Sequence, residues 1–291
     1  MSTTTVPTST INTRRASLSA RLASSVSHLL LGLAALLTLV PYIWMVATAL
    51  KPSGDVFTTP PSLLGSSIQW HNFAQAWSYV PFGRFMINGL LVSCVGTAIV
   101  IATSAMAAYA FSRLRWRGRS GVFLIYLGTL MIPQEVLVVP MFILMRQLGW
   151  INSYQALILP WAFTAFGTFL LRQFFLTLPD ELEEAALIDG ASRWTVFRRI
   201  LLPLVRPALA TLAVFSFIGY WNSFLWPLLM VNDITMATVP LGLNMFLGQT
   251  GNQWNLLMAA ATISVLPTAV LVIALQRYLV SGIALSGLGG R

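Results

Sequence analysis

Few residues in this 291-residue chain have the types and spacing for covalent chemistry. Lysine occurs once, at Lys51, and Pro52 follows it. A nucleotide-binding P-loop needs Gly-Lys-Ser/Thr so that the lysine reaches the phosphates, so this chain is no P-loop ATPase. His28 and His71 are the only histidines, too few for a His-based metal cluster. Neither has an acidic neighbour in sequence to orient it for a serine triad. The single Cys94 excludes an internal disulfide. The carboxylates are the informative groups. Five of the 8 fall between Leu178 and Arg206, as Asp180, Glu181, Glu183, Glu184 and Asp189, and Glu135 stands alone in an apolar run.

The elements that position these residues live in lipid. Hydrophobic residues make up 57% of the chain and charged residues 9%, against about 25% charged in a soluble domain. So few charges cannot cover a water-exposed surface. The net charge of +9 does not mark a nucleic-acid binder, because the arginines sit at the ends of apolar runs rather than on one wet face. Six runs reach the ~20 apolar residues that a spanning helix requires. They lie at Ser25–Leu50, Phe85–Phe111, Val122–Met145, Tyr154–Phe175, Pro207–Val231 and Trp254–Leu279. The first is too long for a signal-peptide core, and no Ala-x-Ala site follows it. With the N-terminus inside, the inner segments hold 14 basic residues and the outer loops only Lys51, Arg84 and Arg146. That asymmetry predicts both termini in the cytoplasm. The expected organisation is a disordered cytoplasmic tail over 1–24, a six-span domain over 25–279 with a polar loop over 178–206, and a cytoplasmic tail over 280–291.

Within the spans, Gly89, Ser93 and Thr97 recur every four residues, with Ala105 and Ala108 beyond. Small residues on one face let helix backbones approach closely, although they are also common filler. Pro133 and Pro140 flank Glu135 and predict a kinked third span, as a structural bend or as a gating hinge. Glu135 itself faces a wet cavity or sits solvated near an interface; both readings stand. The loop 178–206 reads as two short helices. The first starts at Thr177 or Asp180, carries its carboxylates early, where the helix dipole favours them, and stops at Gly190. Its stripe of Leu182, Ala185, Ala186 and Leu187 can bury. The second starts at Ser192, runs through Arg193, Trp194, Phe197 and Arg198, and meets Pro203 and Pro207. Such a pair can be a solvated connector.

The residues themselves argue for more. Glu184-Ala185-Ala186, then Asp189-Gly190-Ala191, Phe197 and Pro203, resemble the EAA loop of ABC importer permeases. Asn222 with Trp221, then Phe224-Leu225-Trp226-Pro227-Leu228, resembles the fifth-span motif of the maltose-type carbohydrate permeases. Met131-Ile132-Pro133 through Pro140 is similar to their third span, and Tyr109-Ala110-Phe111-Ser112-Arg113 to the exit of their second. Gln276-Arg277-Tyr278 and the Gly-rich end resemble the smaller, MalG-like permease, but the final Gly287-Leu288-Gly289-Gly290-Arg291 departs from that family's usual ending.

The resemblance implies an all-α polytopic membrane protein, six transmembrane helices with a cytoplasmic coupling-helix loop, in the bacterial cytoplasmic membrane. It implies a second permease subunit, two ATPase subunits and an extracytoplasmic solute-binding protein as partners. Nucleic acid is not among them. It implies a non-catalytic subunit with no cofactor of its own, ATP and Mg2+ residing on the ATPases. The expected solute is a sugar or sugar-like compound, with glycerol phosphodiesters, polyols or another non-sugar solute as the alternative. Glu135, Trp221, Asn222 and Trp226 are the candidates for its pathway, because aromatic faces stack on sugar rings and an amide pairs with hydroxyls. The tryptophans also fit as interface anchors. A secondary transporter would need an internal repeat with ion-coordinating residues in broken helices, and no convincing repeat is visible. A membrane scaffold with a docking loop is the other rival.

Overall fold

The computed structural model describes residues 18–248 and 251–288, with side chains described for 25–248 and 252–278. Residues 1–17 of the expected N-terminal tail, and Gly289, Gly290 and Arg291 of the C-terminal one, lie outside the described residues. The chain divides by contact into two units, Met1–Met45 and Val46–Arg291.

The first unit holds most of α1 (Leu18–Ala49), a helix with Pro41 inside it. It starts seven residues before the expected span. Residues 18–24, assigned to a disordered tail on their serine content, are helical, because Leu18, Ala20, Arg21, Leu22 and Ala23 are all strong helix formers.

The second unit takes the end of α1 and continues with α2 (His71–Tyr79) and the long α3 (Phe82–Ser112), followed by α4 (Arg119–Gly128), α5 (Gln134–Gln147), α6 (Tyr154–Ile158) and α7 (Ala165–Thr177). The polar loop carries α8 (Glu181–Ile188) and then α9 (Arg193–Thr195), which runs through a π-helical stretch, Val196–Leu201, into α10 (Leu202–Leu204). After it come α11 (Arg206–Trp221), α12 (Leu225–Met230) and α13 (Val239–Asn244). A two-residue antiparallel ribbon, β1 (Leu247–Gly248) with β2 (Gly251–Asn252), leads into α14 (Trp254–Leu288).

Three of these helices, α1, α3 and α14, are long and apolar enough to cross a membrane alone, and three further passes are broken. The third breaks by 97° between Met131 and Gln134, where Pro133 lacks the N–H a helix needs. Pro140, expected to share that kink, sits inside α5 without breaking it. The fourth bends by 47° between Trp161 and Ala165. The fifth differs most from the expected rod Pro207–Val231. It bends by 79° at Val205, then stops at Trp221, and resumes at Leu225 as α12. The 16 residues of α11 reach only about 24 Å, short of the ~30 Å hydrocarbon core, so α12 completes the pass. The last helix runs past the expected Leu279 to Leu288.

Helix α3 is the axis of the core. Its small-residue face, Gly89, Ser93, Thr97, Ala105 and Ala108, is buried throughout. It packs along α7 on one side and α11 on the other. It meets α11 closely at Gly96, where an added Cβ would sit 2.5 Å from the Tyr220 ring. Three asparagines then fasten the connectors. Asn72 donates to the carbonyls of Ala49 and Lys51 at 2.8 and 2.9 Å. Asn88 donates to those of Thr235 and Ala237 at 2.8 and 2.9 Å, and accepts from the Tyr154 hydroxyl at 2.7 Å. Asn152, at φ +59°, accepts from the N–H groups of Asn232 and Asp233. Buried connector backbone needs such partners, and an amide side chain reaches two at once.

Candidate functional site

Two places collect the functional candidates: the polar loop and a cavity beside α5. In the loop, α8 ends in a Schellman motif. Gly190 takes φ +83°, its N–H donates to the Leu187 carbonyl at 3.1 Å, and the Ala191 N–H reaches back to Ala186 at 2.9 Å. Ser192 caps the next helix, its hydroxyl accepting from the Thr195 N–H at 3.2 Å. Asp180 occupies the expected cap position of α8 but makes no capping bond. It pairs instead with Arg113. The Arg113 side chain is 5% exposed and also donates to the Leu178 carbonyl at 2.6 Å, latching the exit of α3 to the end of α7. The arginine that closes the second-span exit motif is therefore a fastener.

The inner side of the loop is held by Glu183, which is buried. Arg193 donates to its carboxylate at 2.9 Å, and the Tyr109 hydroxyl lies 3.4 Å from the same oxygen. Phe197 is buried against Tyr109 and Trp194, with ring centroids 5.1 and 5.3 Å apart. Ala186, Leu187, Ala191 and Pro203 are half-buried. The other two members of the expected buried stripe, Leu182 and Ala185, are exposed, since α8 turns only one narrow face to the core. Glu184, Ala185, Asp189 and Gly190 face outward. Beside them stand Ile188 and Trp194, 86% and 59% exposed. Glu183, Arg193, Ile188 and Trp194 were not singled out as site residues from the sequence. The available signal was an isoleucine off the apolar face of an acidic helix.

The second place is a cavity of about 450 Å³. Glu135 and Gln134, in the first turn of α5 just past the 97° break, face it together with Ser216 and Ser223. Trp161 and Trp226 form an aromatic wall, edge to face at 5.3 Å, and Trp226 is fixed by donating to the Ala156 carbonyl at 2.8 Å. The other two pathway candidates lie elsewhere. Trp221 is buried in a separate cluster, stacked on Phe217 and donating to the Ser264 carbonyl at 3.1 Å. Asn222 is exposed at the break after α11 and does not line the cavity. Near the Asn152 fastener, the Thr235 N–H donates to Asp233 at 2.9 Å and holds that carboxyl below the usual range. Among the described residues no three His, Cys, Asp or Glu gather into a metal-holding group.

A broken-helix bundle with a fastened polar loop between its fourth and fifth passes defines a class of membrane permease. Residues 99–285 match the model of the binding-protein-dependent transport system inner membrane component, and the chain belongs to that family. It is a multi-pass permease subunit of an ABC importer. It is 38% identical over 265 residues to the sn-glycerol-3-phosphate transport system permease protein UgpE of Yersinia pestis bv. Antiqua (strain Antiqua), covering 88% of this chain and 94% of the relative. It is 37% identical over 254 residues to the probable ABC transporter permease protein YurM of Bacillus subtilis (strain 168), covering 86% and 83%. In fold it resembles a bacterial ABC transporter involved in import of the acidic polysaccharide alginate, with TM-score 0.79 and 23% identity over 90% of this chain and 98% of that one.

Proposed function

We propose that this subunit converts closure of a partner ATPase dimer into alternating access for a sugar or sugar-like solute. The observation that carries this reading is the two-sided loop. Its inner side is tied to α3 and α7 through Glu183–Tyr109, Asp180–Arg113 and Phe197, and Glu183–Arg193 braces its two helices together. Its outer side presents Glu184, Asp189, Ile188 and Trp194. A surface that is apolar at its centre, charged at its rim and rigidly anchored suits docking and the transmission of force. The loop is cytoplasmic in this reading, as are both termini, since arginines concentrate on that side. ATP hydrolysis belongs to two separate subunits, with ATP and Mg2+ bound there. A second permease completes the pathway, and an extracytoplasmic binding protein delivers solute. ATP then shifts the equilibrium by binding one arrangement better than the other.

The solute class draws on the aromatic and hydroxyl lining of the cavity, with Glu135 and Trp226 as its pathway residues. Relatives named for sn-glycerol-3-phosphate keep a phosphorylated polyol as the second reading. Proteoliposomes containing the assembled importer test the function. Uptake is expected only with internal ATP and with the binding protein. Uptake by this chain alone, without ATP, would make it a secondary transporter.

A further inference from the structure

The cavity beside α5 has a charge character that bears on which solutes it accepts. Among the described residues that line it, Glu135 is the sole charged side chain, and no lysine, arginine or histidine faces it. Its other polar side chains are an amide, Gln134, the hydroxyls of Thr164, Ser216 and Ser223, and Tyr220, whose hydroxyl is taken up by the Ile158 carbonyl, while Trp161 and Trp226 supply ring faces. Recognition of phosphate or carboxylate uses Arg or Lys donors, or the free N–H groups of a helix N-terminus. No arginine or lysine is on offer. Three helices begin at this cavity, α5 after Pro133, α7 after Thr164 and the six-residue α12 after Phe224, and the one full charge in their first turns is the carboxylate of Glu135. Carboxylate, amide and hydroxyl oxygens accept from sugar hydroxyls or a protonated amine, and tryptophan faces attract cations and stack on pyranose rings.

We propose that this cavity selects polyhydroxylated solutes that are uncharged or cationic, such as neutral sugars and amino sugars, and disfavours phosphorylated or carboxylated ones. The proposal rests on the reading that the cavity lies on the solute path. It departs from the anionic solutes in the names of relatives and structural neighbours. A cavity of 450 Å³ is about 10 Å across, close to a Debye length at physiological salt, so one unpaired carboxylate biases the whole volume.

The test uses the assembled importer with Ser223→Cys in a Cys94→Ser background, and Ser216→Cys as a second probe position. Each thiol is reacted with a cationic reagent, trimethylammonium-ethyl methanethiosulfonate, and an anionic one, sulfonatoethyl methanethiosulfonate. The ratio of the two rates is expected to fall about fivefold when Glu135→Gln is added. A ratio unchanged by Glu135→Gln at both positions overturns the charge selection. Modification of Ser223→Cys is also expected to block ATP-driven uptake. Full uptake after complete modification would remove the cavity from the path and overturn the functional reading instead, whatever the rate ratio.

Discussion

Glu183 and Glu184 are adjacent in sequence and opposite in consequence. On a helix they point about 100° apart, so one enters the core when the other meets solvent. Removing the buried member, Glu183→Ala, leaves Tyr109 and Arg193 without their shared acceptor. Arg193 is more than half exposed and water takes up part of the loss, so the expected cost is about 1–2 kcal/mol, read as a lower thermal midpoint of the purified complex. The Glu184 side chain meets no partner among the described residues, and Glu184→Ala is expected to stay within about 0.5 kcal/mol of the parent while lowering ATPase coupling. Equal stability losses in the two variants would contradict the two-sided loop. Gly190 carries a separate demand. Its φ of +83° costs any residue with a Cβ about 1–2 kcal/mol, although among the described residues nothing beyond its chain neighbours stands within 4 Å of such a Cβ.

Among the elements, α3 and α11 meet in a close contact. Gly96→Ala would push a methyl into the Tyr220 ring, and a loss of about 1–3 kcal/mol in the thermal midpoint analysis is expected. Gly219→Ala on α11 meets nothing within 4 Å outside its own helix among the described residues and is expected to be neutral or slightly stabilising. Sidedness is tested by cysteines in the Cys94→Ser background. Ser62→Cys should react with an impermeant thiol reagent in intact cells, and Ser192→Cys should react only after permeabilisation. Labelling of Ser192→Cys from outside would invert the topology.

The six apolar runs were legible because length and hydropathy alone define a span, and the loop helices because Gly190 and Ser192 are strong local signals. The breaks were less so. Pro133 and Pro140 look alike in sequence, yet only Pro133 interrupts a helix, because Pro140 is held within α5. The stop at Trp221 has no proline or glycine beside it. Trp221 and Trp226 share one motif, but the break between them sends Trp221 towards α14 and Trp226 to the cavity. Which way a side chain turns depends on partners distant in sequence, and local spacing carries no record of them.

For the whole molecule, the central claim is that the loop between α7 and α11 transmits ATPase motion to the spans. The most direct measurement is made on complexes purified through this subunit, recording the ATPase that copurifies and the hydrolysis stimulated by solute-loaded binding protein. Gly190→Val strains the Schellman turn, and Glu184→Lys reverses a charge on the outer face. Both leave the apolar spans and the arginine asymmetry untouched, so membrane insertion is expected to persist. Arg117→Lys keeps an exposed charge in place and serves as the silent control. At least a tenfold loss, about 1.4 kcal/mol of coupling, is expected in stimulated hydrolysis or ATPase attachment for both loop variants and none for the control. Normal attachment and stimulation in both Gly190→Val and Glu184→Lys would show that the loop is an ordinary connector and contradict the claim.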